Sequence, residues 1–437
     1  MDGQSSTSTH KAVERTAYRL HTTERTNVST HSNSLATGHW VASWAGPIAR
    51  HPAPDTVTGR TLRLRAESSI GGRAIRAVLS NEYGTAPLRI GAASVVTADG
   101  DGNEGQPVAL RFAGEHSIDI AVGATALSNE VDVTVAAGQS LYIKLFLPYE
   151  TLAESAVLLQ AGLPSTHPLY YPQPDFSRVD LSSEGDFTGV TGLPDAAPLD
   201  HLPFLSRIDV LTDENVGAIA VLGTTYTDGL GVWPDHLSRR LNNGSGSAQK
   251  SILNLSARGG SLARSHLPSG RAGVVTLFDR EVLTLPGITH VVISEARQDI
   301  TTAGTLSLKA DGSVDDASEQ TNSELPVDTD SLKAAYRQLI SKAHARGVKV
   351  LGATMPPFRG VPAPGYYSEE KDELRESLNR WIVESGEFDG VIDIDTLMRD
   401  PDDTRQYREE YRSANMYGPN PAGHAAIAAA VDANLFD

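Results

Sequence analysis

From Val216 onward the chain alternates two hydrophobic periods, and that alternation leaves few folds open. Five short apolar runs, "GAIAVLG", "KSILNLS", "GITHVVISEA", "VKVLGATMPP" and "FDGVIDI", have buried-strand texture. Between and after them lie stretches with helical spacing. "PDHLSRRL" carries Pro234 in its first turn, where a missing N–H costs nothing. "DSLKAAYRQLISKAHARG" opens on Asp330 as N-cap and closes on Gly347 as C-cap. "SEEKDELRESLNRWIVES" and "NPAGHAAIAAAVDANL" complete the set. Parallel apolar strands alternating with helices predict a doubly wound, three-layer α/β sheet of flavodoxin-like type over 211–437. Ligands of such sheets bind at the carboxyl ends of the strands, so the loops there are the ones to inspect.

The first half has a different texture. "TLRLRAESSI", "RAIRAVLSNEYG", "LRIGAASVVTA", "VDVTVAAG" and "SLYIKLFLPYE" are short runs broken by Gly, Asn, Asp and Pro, with almost no helical period. They predict an antiparallel β-sandwich, jelly-roll-like, over 38–210. It is expected to pack against the α/β part and form one wall of its pocket, because the link between them is short. Trp40 and Trp44 in "HWVASW" read as sandwich core. "HPLYYPQPDFS" reads as a long connection, and residues 1–37, rich in Ser, Thr and His without periodicity, as a disordered tail.

Charge and composition exclude several functions. The 37 basic and 54 acidic residues leave a net charge of −17, the wrong sign for nucleic acid or anionic lipid. With no cysteine there is no disulfide, thiolate catalysis or thiolate metal site. The histidines lack metal-ligand spacing, so no cofactor is expected. No apolar stretch reaches transmembrane length and the N-terminus has no signal-peptide core, which predicts a cytoplasmic protein.

The strand-end loops carry the chemistry. They are Gly223-Thr224-Thr225-Tyr226-Thr227-Asp228-Gly229, Ser256-Ala257-Arg258-Gly259-Gly260, Glu295-Ala296-Arg297-Gln298-Asp299 and Asn415-Met416-Tyr417-Gly418-Pro419-Asn420. Their order and spacing resemble the SGNH, or GDSL-type, esterases and lipases. With "HWVASWAGP", "SSIGG", "RAVLSNEYGTAPLRIGAA", "FDREVLTLPG", "LGATMPPF" and "PNPAGHAAIA", the chain resembles the two-domain members that carry a β-sandwich ahead of the hydrolase domain.

The resemblance implies a role for each loop, and the residues depart from it. Thr225 stands where the family has its nucleophilic serine, and Thr224 where it has the neighbouring aspartate. Gly259 matches the glycine whose N–H helps form the oxyanion hole. Gln298 replaces the asparagine whose amide also faces the oxyanion. Asn415 replaces the orienting aspartate and Gly418 the histidine base. A hydroxyl is a weak nucleophile without a base to take its proton, and glycine supplies none. His424 lies nearby but is expected inside the final helix, facing away. Acyl-enzyme hydrolysis is therefore not expected.

Other residues there suit another use. Arg258 and Arg297 can hold a carboxylate or enolate by paired hydrogen bonds. Asp228, Glu295 and Asp299 are acid–base candidates when tuned by burial, or structural hydrogen-bonders. Thr225, Arg258, Gln298 and Asp299 are the expected catalytic set. Thr224, Tyr226, Asp228, Gly259, Arg297, Asn415 and Tyr417 are the expected ligand contacts, with Tyr366 and Tyr367 as a further wall. Three functions fit: cyclisation or isomerisation of a small acidic metabolite in a former esterase pocket, ligand or carbohydrate binding without catalysis, and residual esterase or acyltransferase activity through Thr225.

Overall fold

The structure is a computed structural model that describes residues 38–158, 179–199, 201–212, 216–223, 231–242, 249–257, 260–264, 271–306, 313 and 327–437. The N-terminal tail and the whole "HPLYYPQPDFS" connection lie outside them. Gly38–Asp437 form one compact unit.

The first part is built from β1 (His39–Ala45), β2 (Arg60–Glu67), β3 (Ala74–Ser80), β4 (Ala92–Thr97), β5 (Val108–Ala109), β6 (Thr125–Leu127), β7 (Ser140–Leu147), β8 (Val179–Glu184), β9 (Ala197–Pro198) and β10 (Leu205–Thr212). They pair antiparallel into one sheet of order β1-β10-β3-β6 and another of order β9-β8-β2-β7-β4-β5. Alternation sets which face is buried. Leu62, Leu64 and Ala66 of β2 lie opposite Leu145, Ile143 and Leu141 of β7. Across the sandwich, Ile75 and Ala77 lie opposite Val210 and Ile208. All belong to one buried core, where each large aliphatic side chain contributes about 1.5–3 kcal/mol. Trp44 joins that core as expected. Trp40 is only half-buried and lies under the Arg76 guanidinium, 4.4 Å from its ring centre. The last antiparallel strand runs to Thr212, two residues past the expected seam.

The second part has β11 (Gly217–Gly223), β12 (Lys250–Asn254), β13 (Ile288–Ser294), β14 (Lys349–Ala353) and β15 (Gly390–Ile392), all parallel in the order β12-β11-β13-β14-β15. This is the doubly wound order, with its switch point between β11 and β13. The helices are α1 (Trp233–Asn242), α2 (Val274–Glu281), α3 (Arg297–Thr301), α4 (Thr329–His344), α5 (Glu369–Glu384), α6 (Ile394–Met398) and α7 (Pro421–Ala430). Ile219 and Val221 of β11 face the core under α1 and α7, while Ala218, Ala220 and Leu222 face the core shared with α2, α4, α5 and the sandwich. The strand is fully buried on both sides, which is why its sequence is apolar throughout.

Helix ends follow local chemistry. Pro234 sits in the first turn of α1 as expected. The N-cap of α4 is Asp328 rather than Asp330. Its carboxylate accepts from the Ser331 N–H at 2.7 Å and the Ser331 hydroxyl at 3.0 Å, and Asp330 falls in the first turn. Gly347, with φ of +69°, ends the same helix by letting the Val348 N–H return to the Ala343 carbonyl.

The two parts meet along β12, the edge of the parallel sheet. The Ser251 hydroxyl donates to the Ala42 carbonyl at 2.6 Å, and the Ile252 N–H donates to the Ser69 hydroxyl at 2.8 Å. The Ala42 N–H reaches the Pro286 carbonyl, and Asn242 ties the carbonyls of Ser69 and Lys250 together. Ser69→Ala would leave the buried Ile252 N–H unsatisfied. It is expected to lower stability by about 1–3 kcal/mol in urea unfolding while the transition stays single, because the seam is part of one core.

Candidate functional site

The carboxyl ends of β11, β12 and β13 converge through backbone bonds. The Ala257 N–H donates to the Gly223 carbonyl at 3.1 Å, and the Gly260 N–H to the Ala257 carbonyl at 2.8 Å. A side chain at Gly260 would lie 2.8 Å from the Ala257 carbonyl oxygen and 3.1 Å from Glu295 Oε1. That position must therefore be glycine. Thr224, Thr225, Tyr226, Asp228, Arg258 and Gly259 lie outside the described residues.

Asp299 holds the second loop to the third. Its side chain is fully buried, and its two oxygens accept from the Leu262 N–H at 2.7 Å and the Ala263 N–H at 3.1 Å. Burial pushes its carboxyl above the usual range, against the pull of those two donors. The geometry matches the structural hydrogen-bonder of the two roles expected for Asp299, and both of its oxygens are engaged. Glu295 is likewise buried beside Gly260, and its carbonyl accepts from the Tyr336 hydroxyl.

Arg297, expected to meet a ligand, is 1% exposed. Its Nε donates to the Tyr366 hydroxyl at 3.1 Å. Its guanidinium carbon lies 5.7, 5.6 and 5.2 Å from the ring centres of Phe358, Tyr366 and Tyr417. Cation–π attraction in a dry site is worth about 2 kcal/mol or more. The arginine thus draws the loop after β14 and the loop before α7 onto α3. Tyr366 and Tyr417 are 5.3 Å apart at their centres. Their shared contact with Arg297 was not legible in the sequence, where nothing links positions 297, 366 and 417. Tyr366 itself is 4% exposed, whereas Tyr367 is half-buried. Lys371 fastens the same loop, donating to the Thr301 carbonyl at 2.9 Å and to the Gly365 carbonyl. At Gly360, with φ of +93°, a side chain would fall on Met416 Sδ, so the two loops touch there as well.

Gln298 is half-buried. Its Nε2 donates to the Thr302 hydroxyl at 2.9 Å, turned back along its own helix. Asn415 accepts from the Ser413 hydroxyl at 2.8 Å and the Tyr417 N–H at 3.1 Å, which shapes the turn. Gly418 is buried in that turn, its carbonyl accepting from the Ser413 N–H. His424 lies within α7 as expected and is 2% exposed. Burial, with a smaller push from His236, lowers its pKa to about 3.

Residues 218–426 match the model of the GDSL-like Lipase/Acylhydrolase family. Over those residues the chain is similar to GDSL-like lipases and acylhydrolases. No curated protein matches the chain. Similar solved structures include a GDSL-like lipase from Bacteroides thetaiotaomicron (14% identity, 50% of this chain, 87% of that one, TM-score 0.33). Others are the psychrotrophic esterase EstA from Pseudoalteromonas sp. (13%, 50%, 94%, 0.32) and Est24, a carbohydrate acetylesterase from Sinorhizobium meliloti (12%, 48%, 94%, 0.33). No helix among the described residues is long and apolar enough to cross a membrane.

The backbone is locally strained where α3 begins. Ala296 opens α3 with φ of +84°, a left-handed conformation that costs a non-glycine residue about 1–2 kcal/mol. Glycine there removes the clash and gives back about 0.5–1 kcal/mol in unfolded-chain entropy. Ala296→Gly is expected to raise stability by about 0.5–1 kcal/mol, read as a higher urea midpoint at unchanged slope.

His424 and His290 predict an acid response. Burial lowers His290 to about 4. Both folded values lie below the ordinary 6.5, so between 6.5 and those values the unfolded chain binds more protons than the folded one. Stability is therefore full above pH 6.5 and is lost as pH falls. His424 alone is expected to contribute a loss on the order of 2–3 kcal/mol between pH 6.5 and 4.5. Thermal melts of wild type and His424→Leu across that range check it: the variant should show the shallower decline.

Proposed function

We propose that the GDSL-like domain acts on a small acidic metabolite without an acyl-enzyme, by cyclisation or isomerisation in the pocket at the strand ends. Such reactions need orientation and an aimed hydrogen-bond donor rather than a nucleophile. The carrying observation is the turn before α7. Gly418 stands where the resemblance puts the base, Asn415 spends its oxygen on Ser413 and Tyr417, and His424 is sealed in a helix and held neutral. In this reading Thr225 donates a hydrogen bond, Gly259 and Gln298 face a developing enolate, and Arg258 supplies the positive charge. Gln298 would have to turn from Thr302 to do so.

The test is hydrolysis of p-nitrophenyl acetate and butyrate, with a fluorophosphonate label as a second readout. Neither turnover above buffer nor labelling is expected, and Thr225→Ser should restore neither. Turnover that Thr225→Ala abolishes would overturn the reading. Once a ligand is found by thermal shift against metabolite pools, Arg258→Ala should weaken its binding by about 1.5–3 kcal/mol. A second reading, binding without catalysis, is favoured by Asp299, whose two carboxylate oxygens both bond within the protein. Product analysis of the thermal-shift hits separates the two.

A further inference from the structure

A cavity of about 140 Å³ opens where the sandwich meets α1 and the end of β12. A cavity of that size holds one six-membered ring, since an apolar one of roughly 150 Å³ accepts benzene. This one is not apolar. Trp44, Pro47 and Val157 supply one wall from the sandwich. Ser69, Ser238, Asn254 and Ser256 supply hydroxyl and amide groups, Ser69 and Ser238 bonding each other at 2.8 Å. Arg65 and Arg239 are balanced by Glu67 and Asp235, so two positive and two negative charges leave the lining neutral. Arg239 Nε lies 3.5 Å from Glu67 Oε1.

One group marks the cavity as more than a gap between parts. The Ser256 hydroxyl is more than nine-tenths buried and makes no hydrogen bond among the described residues. Leaving such a group unsatisfied is costly, and a bound hydroxyl would recover that cost.

We propose that this cavity binds a single neutral, hydroxyl-rich ring, a monosaccharide or a cyclic polyol of the same size. The neutral lining disfavours a net-charged ligand, because an unmatched charge would lose its hydration without a counter-charge. The density of hydroxyl, amide and carboxylate groups disfavours a hydrocarbon. The indole and its apolar neighbours suit the C–H face of a sugar ring. The site needs parts from both halves of the chain, and Ser256, the first residue of the second strand-end loop, belongs to its lining.

The test uses the full chain labelled with 15N at its four tryptophans, with the Trp44 indole peak assigned through Trp44→Phe. The probes are the methyl glycosides of glucose, mannose and xylose, with methyl glucuronide and glucosamine as anionic and cationic rings of matching size. At least one neutral glycoside is expected to shift the Trp44 peak saturably at millimolar concentration, leaving Trp381 unmoved. Ser256→Ala should weaken that binding at least threefold. Glu67→Gln, which keeps the size of this half-buried side chain, should weaken it at least fivefold. The proposal is overturned if no neutral glycoside moves Trp44. It is equally overturned if the glucuronide binds best and Glu67→Gln tightens it, which would make the site an anion site.

Discussion

The edge of the parallel sheet governs how this molecule is put together. β12 is the outermost strand, and an edge strand presents unpaired N–H and C=O groups that must be bonded or hidden. Here the sandwich hides them. Ser69 accepts the Ile252 N–H, Ser251 reaches across to Ala42, and Asn242 ties the Ser69 and Lys250 carbonyls. Because those bonds are buried, neither half can move away without stranding polar groups in an apolar core. The shared core, the seam cavity and the placement of α1 all follow from that cover.

At the other end of the sheet, buried polar side chains perform the equivalent task for loops. Asp299 takes two backbone N–H groups from the second loop, and Arg297 collects three aromatic rings from two later ones. Loops fixed in this way are tied to the strand ends by contacts within the protein. The polar residues with most to lose from exposure therefore act inside the wall.

The sequence made the fold legible because period is a local property. The apolar runs of β11 to β15 and the alternating strands of the sandwich each announce themselves within a dozen residues. The site was legible only as positions. Residue type placed Arg297 and Asp299 in the third loop, but whether a guanidinium meets solvent or three rings depends on residues some seventy and one hundred twenty places away. Asp330 looked like a cap because it precedes an apolar period, and Asp328 won because its carboxylate reaches both the N–H and the hydroxyl of Ser331. The seam cavity had no local signal at all. Trp44 reads as core because it is core, and its second duty at the cavity wall arises only when α1 arrives opposite it.

The order of the chain gives the seam a further meaning during synthesis. Every strand of the sandwich precedes residue 216, and domains of a growing chain fold as units from the N-terminal side. The surface that will cover β12 can thus be complete before β12 leaves the ribosome. A nascent α/β sheet with a bare edge is an invitation to intermolecular strand pairing. Translating the cover first turns that hazard into a docking step, with the earlier half serving the later one as a resident chaperone.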